Sequence, residues 1–273
     1  CSHKLTIDAV TAQPGITCEK GRLKFTPETT ESSIEAVREA GKNYHYTEKV
    51  NVTGPYTCLN IIDMETDVIR ASTAADVVPM LKLVASFNQY GPAPVYPHDL
   101  DSRLQVIWLE KACVEHTAYM GGFMISHNPE IIRVLRDLYA AVNRRYYMTL
   151  QFINSPLRLD EVALDLTWQF KDDPLLDVNP DICPIPVGGM TAPLDPAGLL
   201  VQGLAESLAG WMVVNRLGFG QTNPILAVRA DHGDMRDMTV GYSLPENVMI
   251  QVLARDVAEH FGGYRLDSIY LDT

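Results

Sequence analysis

Arg229-Ala230-Asp231-His232-Gly233-Asp234 sets a guanidinium, an imidazole and two carboxylates side by side, directly after a short apolar run. Tyr96-Pro97-His98-Asp99-Leu100-Asp101 follows another such run, Ser126-His127 and Met190-Thr191 follow two more, and Asn154 closes a further one. A carboxylate beside an aromatic ring can hold a cation, the ring face contributing roughly 0.5 to 2 kcal/mol. Tyr96 with Asp99, and Asp231 with Asp234, suit that task, whereas Arg229 or a histidine could pair with a carboxylate. Asp99, Asp231 and His232 could instead serve a metal-dependent lyase or hydrolase. Each group also has a plain structural use. Asp99 and Asp101 precede a helix and are suited to capping it. His127-Asn128-Pro129 reads as a helix start, Asp and Gly between 231 and 234 suit a turn, and Trp211 and Met212 lie in a helix as core.

The elements that must position these residues are read from periodicity. Thr26-Pro27-Glu28 opens a helix through Ile34 and Val37 to Gly41, with Pro in the first turn and Gly after the end. Residues 56–62 and 68–70 flank a turn-like segment and predict a hairpin. Ser72-Thr73 caps a helix with Val77, Val78, Leu81 and Val84 on one face. These elements form an N-terminal helix-and-hairpin preface, residues 1–90. From 91 to 273, short apolar runs alternate with amphipathic helices, the rhythm of parallel strands joined by crossover helices. The predicted strands are 93–96, 119–125, 147–153, 182–187, 225–228 and 264–270. The helices between them cover 102–115, 128–144, 160–170, 195–217 and 245–260, the last capped by Ser243. Such a series fits an open doubly wound sheet or an incomplete eight-stranded barrel. No G-x-G-x-x-G follows the first strand, which argues against the dinucleotide-binding version.

Composition narrows the classes. The net charge of -12, from 34 acidic against 22 basic residues, and the lack of a basic stretch make a nucleic-acid surface a poor expectation. At 47% hydrophobic the chain is globular. No apolar run is expected to reach the roughly 20 residues of a membrane span, and the N-terminus lacks a signal-peptide layout. The expected location is the cytoplasm. Cys1, Cys18, Cys58, Cys113 and Cys183 are odd in number and scattered, so reduced thiols are expected rather than a disulfide framework. Cys183 reads as a packed small hydrophobe within a strand. Without close-spaced ligands no metal is expected. Asn51-Val52-Thr53 fits a glycosylation acceptor, and a chain starting at Cys1 also fits a lipoprotein or an N-terminal-nucleophile hydrolase.

A longer pattern runs from Ser155 to Gly263. It reads Ser155-Pro156-Leu157-Arg158-Leu159-Asp160-Glu161, Pro184-Ile185-Pro186-Val187-Gly188-Gly189-Met190-Thr191-Ala192-Pro193 and Ala205-Glu206-Ser207-Leu208-Ala209-Gly210. It continues with Asn223-Pro224-Ile225, Asp234-Met235-Arg236 and His260-Phe261-Gly262-Gly263. In this order and spacing the chain resembles the trimethylamine methyltransferase family of corrinoid-dependent methylamine and glycine-betaine methyltransferases. Looser similarity extends through 56–71 and Gly91-Pro92. Family members are longer, so the resemblance implies a fragment lacking the C-terminal part.

The resemblance implies a (β/α)8 TIM-type barrel, incomplete at the C-terminus, behind the α+β preface. It also implies transfer of a methyl group from a methylated amine to the cobalt of a separate corrinoid protein. Some members carry pyrrolysine just after the fifth strand, a region aligned with 231–238. Only ordinary residues stand there, which resembles the non-pyrrolysine branch and its quaternary-amine substrates. The cobalamin would be carried by the partner protein, with none bound tightly by this chain, and homo-oligomers are implied for the full-length protein. In a barrel the reacting groups stand at the C-terminal ends of strands. The substrate-binding set is therefore Tyr96, His98, Asp99, Asn154, Arg229, Asp231, His232 and Asp234. Demethylation of a quaternary amine needs in-line approach at the methyl carbon, and no acid or base is obligatory. A non-catalytic relative that binds a methylated amine or a protein partner would use the same pocket.

Overall fold

The computed structural model describes residues 3–42, 58–87, 93–117, 126–219, 228–236, 238–241 and 244–262. The chain is mixed α/β, with eight helices and short two-stranded sheets among the described residues. It packs into two compact units, one of residues 1–46, 151–168 and 180–273, the other of residues 47–150 and 169–179. The predicted strands 119–125 and 264–270, most of 225–228, Cys1, Asn51, Gly91-Pro92 and the Ser243 cap lie outside the described residues.

The first unit opens with α1 (His3–Thr11) and an antiparallel hairpin of β1 (Ile16–Glu19) and β2 (Arg22–Phe25). Neither was expected from sequence. The turn places both Lys20 (φ 53°) and Gly21 (φ 72°) in the left-handed region, the backbone whose twist matches a two-residue hairpin. Helix α2 (Pro27–Lys42) follows as predicted. Residues 47–150, which belong to the second unit, are inserted between the first two segments of this one.

In the second unit β3 (Asn60–Asp63) and β4 (Val68–Ala71) form the predicted antiparallel hairpin. Helix α3 (Ala74–Ser86) buries Val77, Leu81 and Val84, one face at helical spacing. Helix α4 (Ser102–His116) starts at Asp101, whose side chain accepts from Arg103 N. Helix α5 (Pro129–Ala140) starts at Asn128, which accepts from Glu130 N. It ends short of the predicted 144 because Asn143 turns left-handed at φ 56°. Strand β5 (Tyr146–Gln151) pairs with β8 (Leu176–Asp181). The expected first strand, 93–96, shrinks to a single parallel bridge between Cys58 and Val95. Pro94 and Pro97 on either side carry no N–H to extend a ladder. Between α4 and α5, Tyr139 Oη donates to the fully buried Glu110, and the Tyr139 and Tyr146 rings lie 5.3 Å apart.

At the start of α3, Arg70 donates through both terminal nitrogens to Asp76, each at 2.8 Å, and through Nε to Asp63 at 3.1 Å. Asp76 also accepts from the Thr73 N–H and hydroxyl. The Arg70 hydrogen bonds, above all, hold its carboxyl well below the usual range. A lowered carboxyl contributes stability above the unfolded-state pKa, about 4, and loses it as pH falls through the folded value. Asp76→Asn is therefore expected to melt below wild type at pH 7, with the gap narrowing as pH drops below about 4. A gap that stays constant between pH 7 and pH 2, measured by thermal melting, would contradict this.

The rest of the first unit begins with the short antiparallel pair β6 (Ile153–Asn154) and β7 (Arg158–Leu159). Next comes α6 (Glu161–Phe170), which Asp160 caps by accepting from Ala163 N. The predicted strand 182–187 is displaced. The strand is β8 at Leu176–Asp181, and 182–186 is irregular. Pro184 and Pro186 are buried there but have no N–H for a ladder. After this segment β9 (Val187–Gly188) crosses through α7 (Pro196–Arg216) to β10 (Asp231–His232), and β9 and β10 pair in parallel. Helix α8 (Pro245–His260) packs on α7 and β10. Leu199, Ala230 and Ile250 form one core cluster there, and Val228, Ala254 and Ala258 another. At Gly203 a Cβ would stand 2.6 Å from Arg229 O, so this glycine lets the chain entering β10 lie directly on α7.

Contrary to the sequence expectation, α7 is long and apolar enough by length and composition to cross a membrane. Half of its most apolar stretch is buried within the fold, as in the core helix of a soluble protein.

Candidate functional site

The short strand β10 and the segments beside it gather ionisable groups from separate parts of the first unit. Asp231 N donates to Pro186 O at 3.0 Å and Gly233 N to Gly188 O at 3.2 Å, so backbone pairing fixes the segment. The Asp231 side chain is fully buried. Its Oδ1 accepts from Gln251 Nε2 of α8 at 2.7 Å, while Oδ2 has no hydrogen-bond partner among the described residues. Arg229 Nη1 donates to Cys183 Sγ at 3.3 Å, and Gln151 Nε2 donates to Cys183 O at 2.6 Å.

Burial sets the electrostatics. It raises the carboxyl pKa of Asp231 against the opposing Gln251 hydrogen bond and Arg229 charge. It raises that of Asp181 against the charge of Arg229, and it raises the Cys183 thiol. Two carboxyls, a guanidinium and a thiol thus share a desolvated region in which charge is costly and any complementary charge is held strongly. A carboxylate with one oxygen unused suits a cationic or hydrogen-bonding group, and Arg229 suits a carboxylate.

His232 follows Asp231 and is half buried. Its N–H donates to Asn247 Oδ1, and its carbonyl accepts from Asn247 Nδ2 at 3.1 Å. The same Nδ2 reaches Gly241 O at 2.7 Å, so one buried amide side chain closes the loop that leaves β10. Asp234 stands apart in that loop. It accepts from Arg236 N at 2.9 Å and from the Arg236 guanidinium, which pulls its carboxyl down to about 2. Asp234 N also donates to Thr239 O at 2.8 Å across the loop.

The other sequence candidates occupy different places. Asn154 is exposed, with Nδ2 3.5 Å from Asp160 Oδ2. Tyr96, His98 and Asp99 belong to the second unit. Asp99 Oδ1 accepts from Ala74 N at 2.8 Å, which makes it a cap for α3 rather than for α4. His98 is exposed and donates its N–H to Ser72 O. Tyr96 is half buried, which raises its phenol. The first unit therefore brings together Arg229, Asp231 and His232. Asp181, Cys183, Asn247 and Gln251 join them without having been foreseen. Their one sequence signal is polarity in otherwise apolar segments.

Among the described residues no group of three or more His, Cys, Asp or Glu side chains is arranged to hold a metal ion. No family model matches the sequence, and no curated protein matches it.

Proposed function

We propose that the chain is the catalytic part of a corrinoid-dependent methylamine methyltransferase, folded as a (β/α)8-type barrel. The observation that carries the reading is the buried Asp231 carboxylate, one oxygen of which has no hydrogen-bond partner among the described residues, in the short strand β10 that pairs in parallel with β9 across a crossover helix. Reacting groups stand at the C-terminal ends of strands in barrels and in open α/β sheets, and in the two-residue strand β10 Asp231 lies one residue before that end. The β9–α7–β10 crossover and the residues quoted for the family resemblance support it.

A methylated ammonium ion binds with its positive charge toward Asp231 Oδ2, and a carboxylate on the same substrate, as in a betaine, pairs with Arg229. Burial of the Asp231 carboxylate strengthens its contact, and the pair of contacts holds the substrate in a fixed orientation. As the carbon–nitrogen bond breaks, its electron pair stays on nitrogen. The amine departs neutral, and no proton has to move. The reduced corrinoid on the partner protein supplies the acceptor for the methyl group. A cytoplasmic, homo-oligomeric protein that docks this partner completes the proposal.

The test is optical. The chain is mixed with free cob(I)alamin and, in a second arm, with a reduced corrinoid protein encoded near its gene. Trimethylamine, glycine betaine and related quaternary amines are then added. The expected result is loss of the cob(I) spectrum with one amine. Silence across the panel, with the corrinoid shown competent by methyl iodide, removes the transfer reaction. Tight amine binding without turnover would then point to a sensor.

A further inference from the structure

Independently of that reading, we propose that the first unit carries a second binding site, for a small molecule with an oxyanion head and an apolar body. A cleft of about 730 Å³ lies between the β1–β2 hairpin, the β6–β7 turn and one face of α7. That volume lies within the range of small-molecule pockets. Arg22 and Arg158 line it, and neither side chain has a hydrogen-bond or ion-pair partner among the described residues.

Six of the other arginines, Arg38, Arg70, Arg103, Arg136, Arg236 and Arg255, are held by carboxylates. The two in the cleft come from different hairpins and share its lining with Leu23, Phe25, Leu157 and Val213. Two guanidinium forks beside an apolar wall are the chemistry that recognises a carboxylate or phosphate on a hydrocarbon body.

Two carboxylates also line the cleft. Glu206 is committed elsewhere, accepting from Ser155 Oγ at 2.6 Å, Leu157 N at 2.8 Å and Gln202 Nε2 at 2.9 Å. By holding the 155–157 turn it positions Arg158. Glu161 is exposed at the start of α6 and opposes an anion.

Titration calorimetry on the 273-residue chain uses octanoate, octyl phosphate and octanol, each below its micelle concentration. Both anions are expected to bind at least about tenfold more tightly than octanol, since a charge-assisted contact is worth that factor or more. The tighter of the two names the head group. Arg22→Ala and Arg158→Ala, both at exposed positions, each weaken the anions by about tenfold, and Glu161→Gln tightens them. Unchanged circular dichroism establishes that the variants are folded. Octanol binding as tightly as the anions, anion affinity unchanged in the double arginine variant, or no anion binding at all would overturn the site.

Discussion

Replacing Glu206 with alanine is expected to lower stability by about 3 kcal/mol, among the larger losses a single side chain can cause. Glu206 is 1% exposed on α7, and its carboxylate takes three donors from two elements. Truncation leaves a backbone N–H and a hydroxyl without their acceptor and leaves the Gln202 amide with Thr191 O alone, and each orphaned group costs roughly 1 to 3 kcal/mol when it stays buried. Partial access of water and relaxation keep the sum below the arithmetic maximum. The backbone adds to the effect. Leu157 sits at φ 48°, a conformation that costs an L-residue roughly 1 to 2 kcal/mol. The bond from its N–H to Glu206 helps to hold it there. Glu206→Gln keeps the shape and one acceptor oxygen and should cost about 1 kcal/mol. Urea unfolding of the three proteins checks the order. A loss under about 1 kcal/mol for the alanine variant would mean that the turn is held by other contacts.

The second large effect is a separation of stability from activity at Asp231. In the optical assay Asp231→Asn is expected to slow methyl transfer by about 10- to 100-fold, the value of one charge-assisted contact to a bound cation. Its stability should move the other way. Burial raises the carboxyl pKa in the folded chain above the unfolded value, so the folded state binds the proton more tightly. The contribution of Asp231 is then most favourable below the unfolded pKa, about 4, and declines as pH rises through the folded value. Asparagine retains an oxygen for Gln251 and carries no charge, so the variant gains on wild type as pH increases. Denaturant midpoints at pH 4 and pH 7 read this directly, because Asp181 and every other acid are common to both proteins. A difference that is the same at both pH values, or reversed, would show that Asp231 ionises in the fold as readily as in water.

The helices were legible because their ends are written in local chemistry. Thr73, Asn128-Pro129 and Asp195-Pro196 each combine a capping or N-terminal residue with a following apolar period. Strands were harder. The run 182–187 is apolar, but its prolines cannot donate, and the ladder forms one step earlier at Leu176–Asp181. The β1–β2 hairpin was missed because its turn is Lys20-Gly21, outside the Asn-Gly and Asp-Gly signature that marks such turns. In the site, Arg229, Asp231 and His232 stood out as a contiguous polar group. Gln251 and Asn247 did not, since each is a single amide on an amphipathic helix. Cys183 was read as packing in a strand; it lies in irregular chain and takes a hydrogen bond from Arg229. Only tertiary proximity gives these residues a role.

The division of the chain also bears on the order in which it is made. The second unit draws mainly on one uninterrupted stretch, 47–150, whereas the first is assembled from 1–46, 151–168 and 180–273. During synthesis the β1–β2 hairpin emerges first, yet its cleft partners on the β6–β7 turn and α7 are translated much later. Contacts between segments so far apart form slowly, and apolar surface stays open in the meantime. The second unit can therefore close on the ribosome ahead of the first. The β1–β2 hairpin must wait for its cleft partners Ile153, Leu157 and Val213 until those segments have left the exit tunnel.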